Sequence, residues 1–229
     1  LNHAIPVAKA LQTPEEEFLI APYALGIWLG DGHKHTGIVT TADEEVMQYL
    51  GEYYSVHKLN GELNYRIEEL TNGLRELNLL YNKHIPEEYL RGSIKQRLEL
   101  LQGLMDSDGY CKSNGHCEFT STNKTLAEDV LKLLLTLGIK ATIAEGEAKL
   151  NGKYISPKYR IAFTSVHKVF KISRKVNKQT HPIEASTSQW RYITNIIQVP
   201  TEPVRCIEVD SPSHLYLAGP AFIPTHNSH

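Results

Sequence analysis

The sequence predicts an α+β protein in which one α/β unit occurs twice and an all-β segment follows. A short apolar helix pattern that ends in an acidic residue and a glycine occurs at 24–32 and again at 101–109. Each copy is followed by strand and amphipathic-helix patterns in the same order, which indicates an internal duplication. Short strand patterns broken by prolines then occupy 181–227. We therefore expect repeats at about 20–95 and 96–180, a separate domain at 181–227, and a linker or a strand of that domain at 1–19.

The two copies match at four successive features. The first copy reads ALGIWLGDG from Ala24, and the second reads LQGLMDSDG from Leu101. A strand pattern and a helix start follow at 39–43 and at 119–123. Next come an Asn-Gly pair and a Tyr-Arg-Ile stretch, and finally a basic residue, Lys83 in one copy and Lys175 in the other. Agreement in order across four features indicates a duplicated unit.

Hydrophobic periodicity and strand-forming residues place the individual elements. Helices are predicted at 21–30, 43–54, 71–80, 93–106, 124–137 and 165–175, and strands at 37–41, 62–69, 116–121, 140–146 and 158–164. Asp43 and the Thr122-Asn123 pair are predicted to cap the helices that follow them, because short oxygen-bearing side chains accept hydrogen bonds from free amides at a helix start. In the last segment, strands are predicted at 191–199, 204–209 and 214–217, between prolines that limit their length.

Composition argues against several classes of protein. Hydrophobic residues make up 41% of the 229, enough for sizeable cores, and the mean hydropathy is −0.32. No apolar run approaches the length of a membrane span, and the first residues lack the basic and apolar regions of a signal peptide, so no membrane partner is expected. The three cysteines, Cys111, Cys117 and Cys206, lack the spacing of a disulfide framework or a zinc knuckle. A reducing, cytoplasmic location is therefore expected.

Charge gives a mixed indication about nucleic acid. The formal net charge is −2, which argues weakly against nucleic-acid binding. Basic residues nevertheless crowd together at Lys168, Lys171, Arg174, Lys175 and Lys178. Such a run is typical either of a solvated helix face or of a surface that contacts phosphates. The sequence leaves both interpretations open.

Asp31 and Asp108 hold equivalent places in the two copies, each at the end of an apolar helix and directly before a glycine. Small residues within these helices, Gly26 and Gly103 among them, permit close helix–helix approach. Parallel packing of the two helices would bring both carboxylates to one end, where their mutual repulsion favours a shared divalent cation. Such a site suits metal-assisted hydrolysis of phosphodiesters. The alternative is that each Asp only ends its helix before the turn at glycine.

The two motifs resemble the paired motifs of LAGLIDADG homing endonucleases of the kind carried by inteins. The second copy matches closely, whereas the first has Leu29 where the motif has its earlier acidic residue. The resemblance implies a duplicated endonuclease with saddle-like antiparallel sheets, Mg²⁺ held by Asp31 and Asp108, and cleavage of a long double-stranded DNA site. The stretch from Lys83 to Pro86 resembles the family's block between the motifs. This implies that Lys83, and Lys175 as its counterpart in the second copy, assist catalysis.

The final residues resemble the C-terminal splicing blocks of inteins, which have a Hint-type fold. The resemblance rests on the stretch from Val204 to Pro212, on His214-Leu215-Tyr216-Leu217 and on His226-Asn227-Ser228. It implies that Asn227 breaks its bond to Ser228, because an Asn side-chain amide can attack its own backbone carbonyl and close a succinimide ring. His226 is expected to assist this cyclisation and His214 to polarise the reacting groups. No cofactor is implied for splicing.

Two further residues of this segment receive roles from the same resemblance. Ser228 is expected to be the first residue of the downstream host protein, or extein, and to accept the transferred acyl chain, so that 228–229 lie outside the intein. Cys206 stands where many inteins have Asp and some have Cys. Its thiol is interpreted as acting in branching or in redox control, or as a buried structural group.

The intein family also implies an N-terminal nucleophile and a Thr-x-x-His block, but the sequence starts at Leu1 with neither in place. We therefore expect the C-terminal part of an intein, with a separate N-terminal segment, flanking extein sequences and a DNA target as its partners. Three alternatives stay open. They are a free-standing homing endonuclease or RNA-splicing maturase, an intein whose endonuclease has decayed to a DNA-binding relic, and a hedgehog-type autoprocessing module, which would need an N-terminal Cys.

Overall fold

The fold, a mixed α/β structure with antiparallel sheets, comes from a computed structural model. It describes residues 3–61, 63–112, 114–179, 189–203, 205 and 207–226. Cys206, Asn227 and Ser228, which carry part of the splicing prediction, lie outside these residues.

The first repeat follows a short strand, β1 (Ala4–Pro6). It consists of α1 (Pro22–Asp31), β2 (Ile38–Thr40), α2 (Glu44–Leu50), β3 (Val56–Lys58), β4 (Asn64–Ile67) and α3 (Leu70–Glu76). Its strands form an antiparallel sheet in the order β2–β4–β3. Pro22 suits the start of α1, because the amide that proline lacks would have no partner in the first turn.

The second repeat follows a 3-10 turn at Glu87–Leu90. It consists of α4 (Ile94–Asp108), β5 (Gly109–Cys111), β6 (His116–Ser121), α5 (Lys124–Thr136), β7 (Ala141–Leu150), β8 (Lys153–Thr164) and the one-turn helix α6 (Ser173–Val176). The four strands form an antiparallel sheet in the order β5–β6–β8–β7. A capping box fixes the start of α4, because the side chains of Ser93 and Gln96 each accept a hydrogen bond from the other residue's amide.

The last segment forms short antiparallel pairings. Strand β9 (Trp190–Tyr192) pairs with β1, so that residues before the first repeat join residues after the second. Strands β10 (Leu215–Ala218) and β11 (Ile223–His226) form a hairpin. The segment therefore contains the expected kind of short strand, and the complete all-β splicing fold stays a prediction.

The centre of the core is the contact between α1 and α4. Helix α1 is apolar on nearly every side, α4 contributes an apolar face, and large side chains of both, such as Trp28 and Leu104, are fully buried. Gly26 faces Gly103 at the crossing, where a Cβ on Gly26 would overlap the Leu100 carbonyl oxygen and lie 2.9 Å from Gly103 Cα. Only glycine permits this distance between the two backbones.

One predicted helix is wrong. In place of the helix predicted at 165–175, only the single turn Ser173–Val176 is helical, and residues 165–172 are not. Side chains hold the amides that a helix there would need: Gln179 accepts from Val169, and Asp106 accepts from Lys171 and Ile172. An amide bonded in this way is not available to a helical carbonyl.

The remaining elements differ from prediction mainly in length. Strand β6 has the predicted bounds, whereas α2 and α3 are shorter than predicted and end by Leu50 and Glu76. The strands predicted at 140–146 and 158–164 extend toward each other into one hairpin, which turns at Asn151 and Gly152 with positive φ angles of 51° and 78°. Strands β3, β5 and β11, of three or four residues each, were not predicted.

Two predicted strands of the last segment are largely wrong. Of 191–199, only 191–192 belongs to a strand, and the described residues of 204–209 contain none. The residues from 193 onward include Ile196, Ile197 and Val199, whose exposed fractions are 67% or more. Their apolar pattern is strand-like, but no neighbouring strand of the described chain pairs with them.

The two predicted helix caps have different outcomes. Asn123 caps α5 as predicted, since its side-chain oxygen accepts from the Leu126 amide. Asp43 precedes α2 as predicted but makes no capping bond, and its carboxylate binds Arg174 instead. A guanidinium offers two charged donors in a fixed geometry, which a carboxylate binds more strongly than an amide.

Within the described part of the chain, no helix is both long and apolar enough to cross a bilayer.

Candidate functional site

Asp31 and Asp108 lie at the same end of the paired helices α1 and α4. Gly26 contacts Gly103 and, one turn later, Gly30 contacts Ser107, so the two helices run parallel. A Cβ on Gly30 would overlap the Ser107 side chain and lie 3.4 Å from Asp108 Oδ2. The structure therefore brings the two carboxylates together in the way that the sequence pattern predicts.

The surroundings of these carboxylates disfavour their charge. The pKa of Asp31 is raised to about 6, first by burial and next by the charge of Asp108, while Lys175 and Lys83 act in the opposite direction. Burial also raises the pKa of Asp108, and the same two lysines oppose that rise. Neighbouring carboxylates that share a partly buried site are stabilised by a cation between them. The pair therefore fits a hard divalent ion.

The remaining ligands of such an ion would not be acidic side chains. Within the described residues, no three His, Cys, Asp or Glu side chains form a group that could hold a metal ion. Mg²⁺ commonly takes one or two carboxylates from a protein and completes its octahedron with water and phosphate oxygens. Asp31 and Asp108 match that pattern.

Lys83 and Lys175 bind the ends of the two motif helices in the same manner. Lys83 Nζ donates to the carbonyl oxygens of Gly30 and Gly32, at 3.1 and 2.8 Å. Lys175 Nζ donates to the equivalent carbonyls of Ser107 and Gly109, also at 3.1 and 2.8 Å. It has two further acceptors, the carbonyls of Met105 and Asp106, at 2.8 and 2.7 Å. A cation at a helix C-terminus complements the partial negative charge of the last carbonyls.

The two lysines also lie close to the carboxylates. Burial lowers the pKa of Lys83 to about 8, and the charges of Asp108 and Asp31 oppose that fall. The pKa of Lys175 is lowered by burial first and by Arg174 next. An amine whose pKa approaches neutrality can hold or release a proton in the working range of most enzymes. The structure thus brings all four residues predicted for DNA cleavage to one region.

Leu29 and Asp106 occupy the position where the two motifs differ. Asp106 is buried, and its carboxylate accepts hydrogen bonds from the Tyr23 hydroxyl at 2.9 Å and the Lys171 amide at 3.1 Å. In the first copy Leu29 is buried and cannot accept such a bond. Leu79, which precedes Lys83 by four residues as Lys171 precedes Lys175, donates its amide to the Leu74 carbonyl of α3 instead. The acidic residue that the first motif lacks therefore anchors main chain in the second copy. The first motif lacks an acidic residue at Leu29 but keeps the later one, Asp31.

Side chains of each repeat contact the segment of the other repeat that carries its lysine, and the sequence did not indicate these contacts. Asp43 accepts two hydrogen bonds from the Arg174 guanidinium, at 2.6 and 2.5 Å. Asn123 Nδ2 donates to the Lys83 carbonyl oxygen at 2.7 Å. The available sequence signal was the equivalent position of Asp43 and Asn123, directly before α2 and α5.

His214 and His226 lie side by side at one end of the β10–β11 hairpin. Leu215 pairs with His226, and the ring centroids of the two histidines are 6.3 Å apart with planes at 70°. His214 has a φ of +52°, which few non-glycine residues adopt. Asn227 directly follows His226 in the sequence, so it is one residue from this pair. The roles of Asn227, Ser228 and Cys206 fall outside the described residues and stay predictions.

Comparison with known families identifies part of the chain. Residues 95–188 match the family model described as a LAGLIDADG-like domain. The matched residues include the second repeat. The resemblance found from the two motifs is therefore confirmed.

Two curated relatives are replicative helicases. Over 230 residues and its whole length, the chain is 40% identical to the replicative DNA helicase DnaB of Mycobacterium intracellulare, and the match covers 38% of that protein. A DnaB of Mycobacterium leprae (strain TN) is 56% identical over 36 residues, which are 16% of this chain and 6% of the other. The chain thus spans less than two-fifths of the first relative's length.

Similar solved structures include those of the homing endonuclease I-DmoI. Its complex with DNA and Mn gives a TM-score of 0.43 at 21% identity, with 63% of this chain and 88% of that chain covered. Its mesophilic variants give a TM-score of 0.44 at 20% identity, with 69% and 85% covered.

Proposed function

We propose that this chain combines a divalent-metal-dependent, site-specific DNA endonuclease with the C-terminal splicing segment of an intein. The observation that carries the first part is the pairing of Asp31 and Asp108 at the ends of two parallel helices, with a lysine bound to each helix end. The LAGLIDADG-like match over 95–188 supports the same class of enzyme.

Asp31 and Asp108 would hold the divalent ion, with Mg²⁺ as the proposed metal. Such an ion stabilises charge on a phosphodiester and lowers the pKa of a bound water. Lys83 and Lys175 fix the helix ends from which the carboxylates project, and they keep positive charge beside the place where phosphate would lie. The pKa of Lys83, lowered to about 8, suits transfer of a proton to or from a DNA oxygen or water.

The two sheets offer equivalent surfaces for the DNA. Arg66 and Arg160 occupy the same place in the repeated Tyr-Arg-Ile stretch, and both are exposed on the central strands β4 and β8. The neighbouring Ile67 and Ile161 point into the core, since side chains alternate across a strand. One exposed arginine per sheet suits contacts to phosphates or to guanine edges in the major groove.

Two observations support the intein part of the proposal. The whole of this chain matches the helicase, but the match covers only 38% of the helicase. An element inserted into a longer host protein would give such a match, and a DnaB-type helicase is the proposed host. His214 and His226 lie next to each other one residue before Asn227, which suits general acid–base assistance of Asn cyclisation. Flanking helicase sequence would then be the extein partner. A free-standing endonuclease or maturase would have no use for this histidine pair.

Cleavage of DNA by an Asp108→Asn variant tests the endonuclease. The substrate is a plasmid in which the helicase coding sequence is joined without the intein, incubated with Mg²⁺ or Mn²⁺. We expect the wild-type protein to cut both strands and the variant to cut neither, while the variant still binds DNA with an affinity that falls steeply with salt. Glu87→Gln, which removes an exposed ion pair with Arg91, is the matched control and should cut normally. Binding without cutting by the wild type would favour the decayed nuclease.

A further inference from the structure

The contacts between the repeats are reciprocal. Asp43 of the first repeat binds Arg174, the residue before Lys175, and Asn123 of the second repeat binds the carbonyl of Lys83 itself. Asp43 and Asn123 are equivalent, because each directly precedes the first helix after the first strand of its sheet. Each lysine is therefore flanked by the helix start of the opposite repeat.

Each repeat makes a second contact of the same kind with the lysine segment of the other repeat. Six residues after Asp43, the Tyr49 hydroxyl donates to the Lys171 carbonyl at 3.4 Å. Six residues after Asn123, Asp129 accepts a hydrogen bond from the Ile85 amide at 3.0 Å. Each helix thus touches the lysine segment of the other repeat at its start and again after about two turns. Two matched pairs of contacts, related by the duplication, are difficult to attribute to accidental packing.

We propose that Asp43 and Asn123 are positioning residues, through which each repeat sets the lysine of the other. We call the two sets of contacts the clasps: the Lys175 clasp (Asp43, Tyr49, Lys171 and Arg174) and the Lys83 clasp (Asn123, Asp129, Lys83 and Ile85). Neither Asp43 nor Asn123 bonds to a lysine Nζ. Asn123 binds the main chain of Lys83, and Asp43 binds the side chain of Arg174, the residue before Lys175, so each clasp governs one half of the paired site. This inference rests on the proposed endonuclease function.

The chemistry of the two clasps differs. The Lys175 clasp contains an ion pair whose side chains are 23% and 56% exposed. The Lys83 clasp joins the repeats through hydrogen bonds instead, one from the half-buried amide of Asn123 and one to the buried carboxylate of Asp129, which also pairs with Lys132 of its own helix. Salt weakens an exposed ion pair and hardly affects a buried amide bond. The half of the site that holds Lys175 is therefore the more salt-sensitive half.

Isosteric variants separate the two clasps. Asp43→Asn keeps size and removes the charge that binds Arg174. Asn123→Asp keeps the oxygen that caps α5 and removes the donor to the Lys83 carbonyl. The measurement is the cleavage rate of each strand, from duplexes of the intein-free helicase site labelled on one strand or the other. Because a two-carboxylate site serves two scissile phosphates, we expect each variant to slow one strand more than the other, and the two variants to favour opposite strands.

The expected sizes follow from the bonds removed. Asp43→Asn should slow its strand about two- to fivefold, as loss of a partly exposed ion pair would. Asn123→Asp should slow the other strand about three- to tenfold, as loss of a partly buried hydrogen bond would. The charge swap Asp43→Arg with Arg174→Asp should restore equal rates, whereas a merely structural disturbance by Asp43→Asn would slow both strands alike. Glu87→Gln again controls for loss of a surface ion pair.

Two outcomes would overturn the inference in distinguishable ways. If the wild type cuts and both variants keep equal rates on the two strands, the clasps do not position the lysines. If the wild type cuts neither strand in Mg²⁺ or Mn²⁺, the proposed endonuclease fails and this inference fails with it.

Discussion

Gly26 and Gly103 lie in direct backbone contact where α1 crosses α4. A Cβ on Gly103 would lie 2.9 Å from Gly26 Cα and 2.9 Å from the Ile27 amide nitrogen, and it would overlap the Tyr23 carbonyl oxygen. This contact fixes the distance between the helices. It therefore also fixes how close Asp31 and Asp108 come at the helix ends.

The helix crossing should tolerate no added methyl group. We expect Gly103→Ala to lower the free energy of unfolding by about 1–3 kcal/mol, because backbone rather than a flexible side chain would have to move. Urea denaturation followed by circular dichroism measures this. Gly146→Ala is the control, since its Cβ would meet nothing closer than 3.6 Å, and it should change stability by less than about 0.5 kcal/mol. Equal stability of Gly103→Ala and wild type would contradict the crossing.

The Asp31 carboxylate should make the metal-free protein less stable as pH rises. Its pKa is about 6 in the folded state against 3.8 for an unperturbed Asp, so the folded protein holds this proton more tightly than the unfolded chain. The stability that the proton contributes is complete below about pH 4 and is lost as pH rises through about 6. Asp31→Asn cannot ionise, so in EDTA its Tm should exceed that of the wild type at pH 7.5 and equal it near pH 4. A Tm difference that is independent of pH would contradict this.

Added Mg²⁺ should act in the opposite direction to Asp31 ionisation. A cation that binds only the folded state stabilises it, so Mg²⁺ at pH 7.5 should raise the Tm of the wild type. The Asp31→Asn variant should respond less, because one carboxylate ligand is lost. Ca²⁺, a divalent cation that prefers more ligands, is a useful comparison. An equal rise in both proteins would indicate that Mg²⁺ binds elsewhere.

The proposed splicing junction should depend on Asn227 and on the paired histidines. We expect Asn227→Ala to abolish release of the residues that follow it, because no succinimide can form. His226→Ala and His214→Ala should slow release by roughly a hundred- to ten-thousand-fold, as for loss of a general acid or base. Mass spectrometry of the released peptide measures the rates. His57→Ala, which removes an exposed histidine paired with Glu68, is the control; unchanged release from Asn227→Ala would refute the mechanism.

Cys111 and Cys117 should form a disulfide when the protein is oxidised. They face each other across β5 and β6, and their Sγ atoms are 3.2 Å apart. The adjacent pair, Lys112 and His116, is hydrogen-bonded, so the cysteines occupy a non-hydrogen-bonded position, where Cα atoms lie about 4.5 Å apart and a disulfide can fit. Glutathione disulfide should therefore remove two hydrogen atoms from a Cys206→Ser protein, as intact mass would show. A further Cys117→Ser change should prevent this loss. Only mixed adducts with glutathione, in place of the internal bond, would contradict the prediction.

The features that the sequence determined are those with a local pattern. The duplication, the two motif helices, β6 and the cap at Asn123 all follow from periodicity or from a residue's own preference over a few positions. The convergence of Asp31 and Asp108 could also be predicted, because glycines at equal spacing in two apolar helices indicate where they can cross. Burial and close approach impose these patterns directly on the residues concerned.

Tertiary structure alone decided the features that depend on distant partners. Asp43 could cap α2 by its own preference, but a guanidinium 131 residues away offers it stronger bonds. Residues 165–172 could be helical by pattern, but Asp106 and Gln179 hold amides within that stretch. The pairing of β1 with β9 and the approach of His214 to His226 likewise join residues whose local sequence does not specify a partner. Local preferences differ by less than about 1 kcal/mol, so one charged or buried contact is enough to override them.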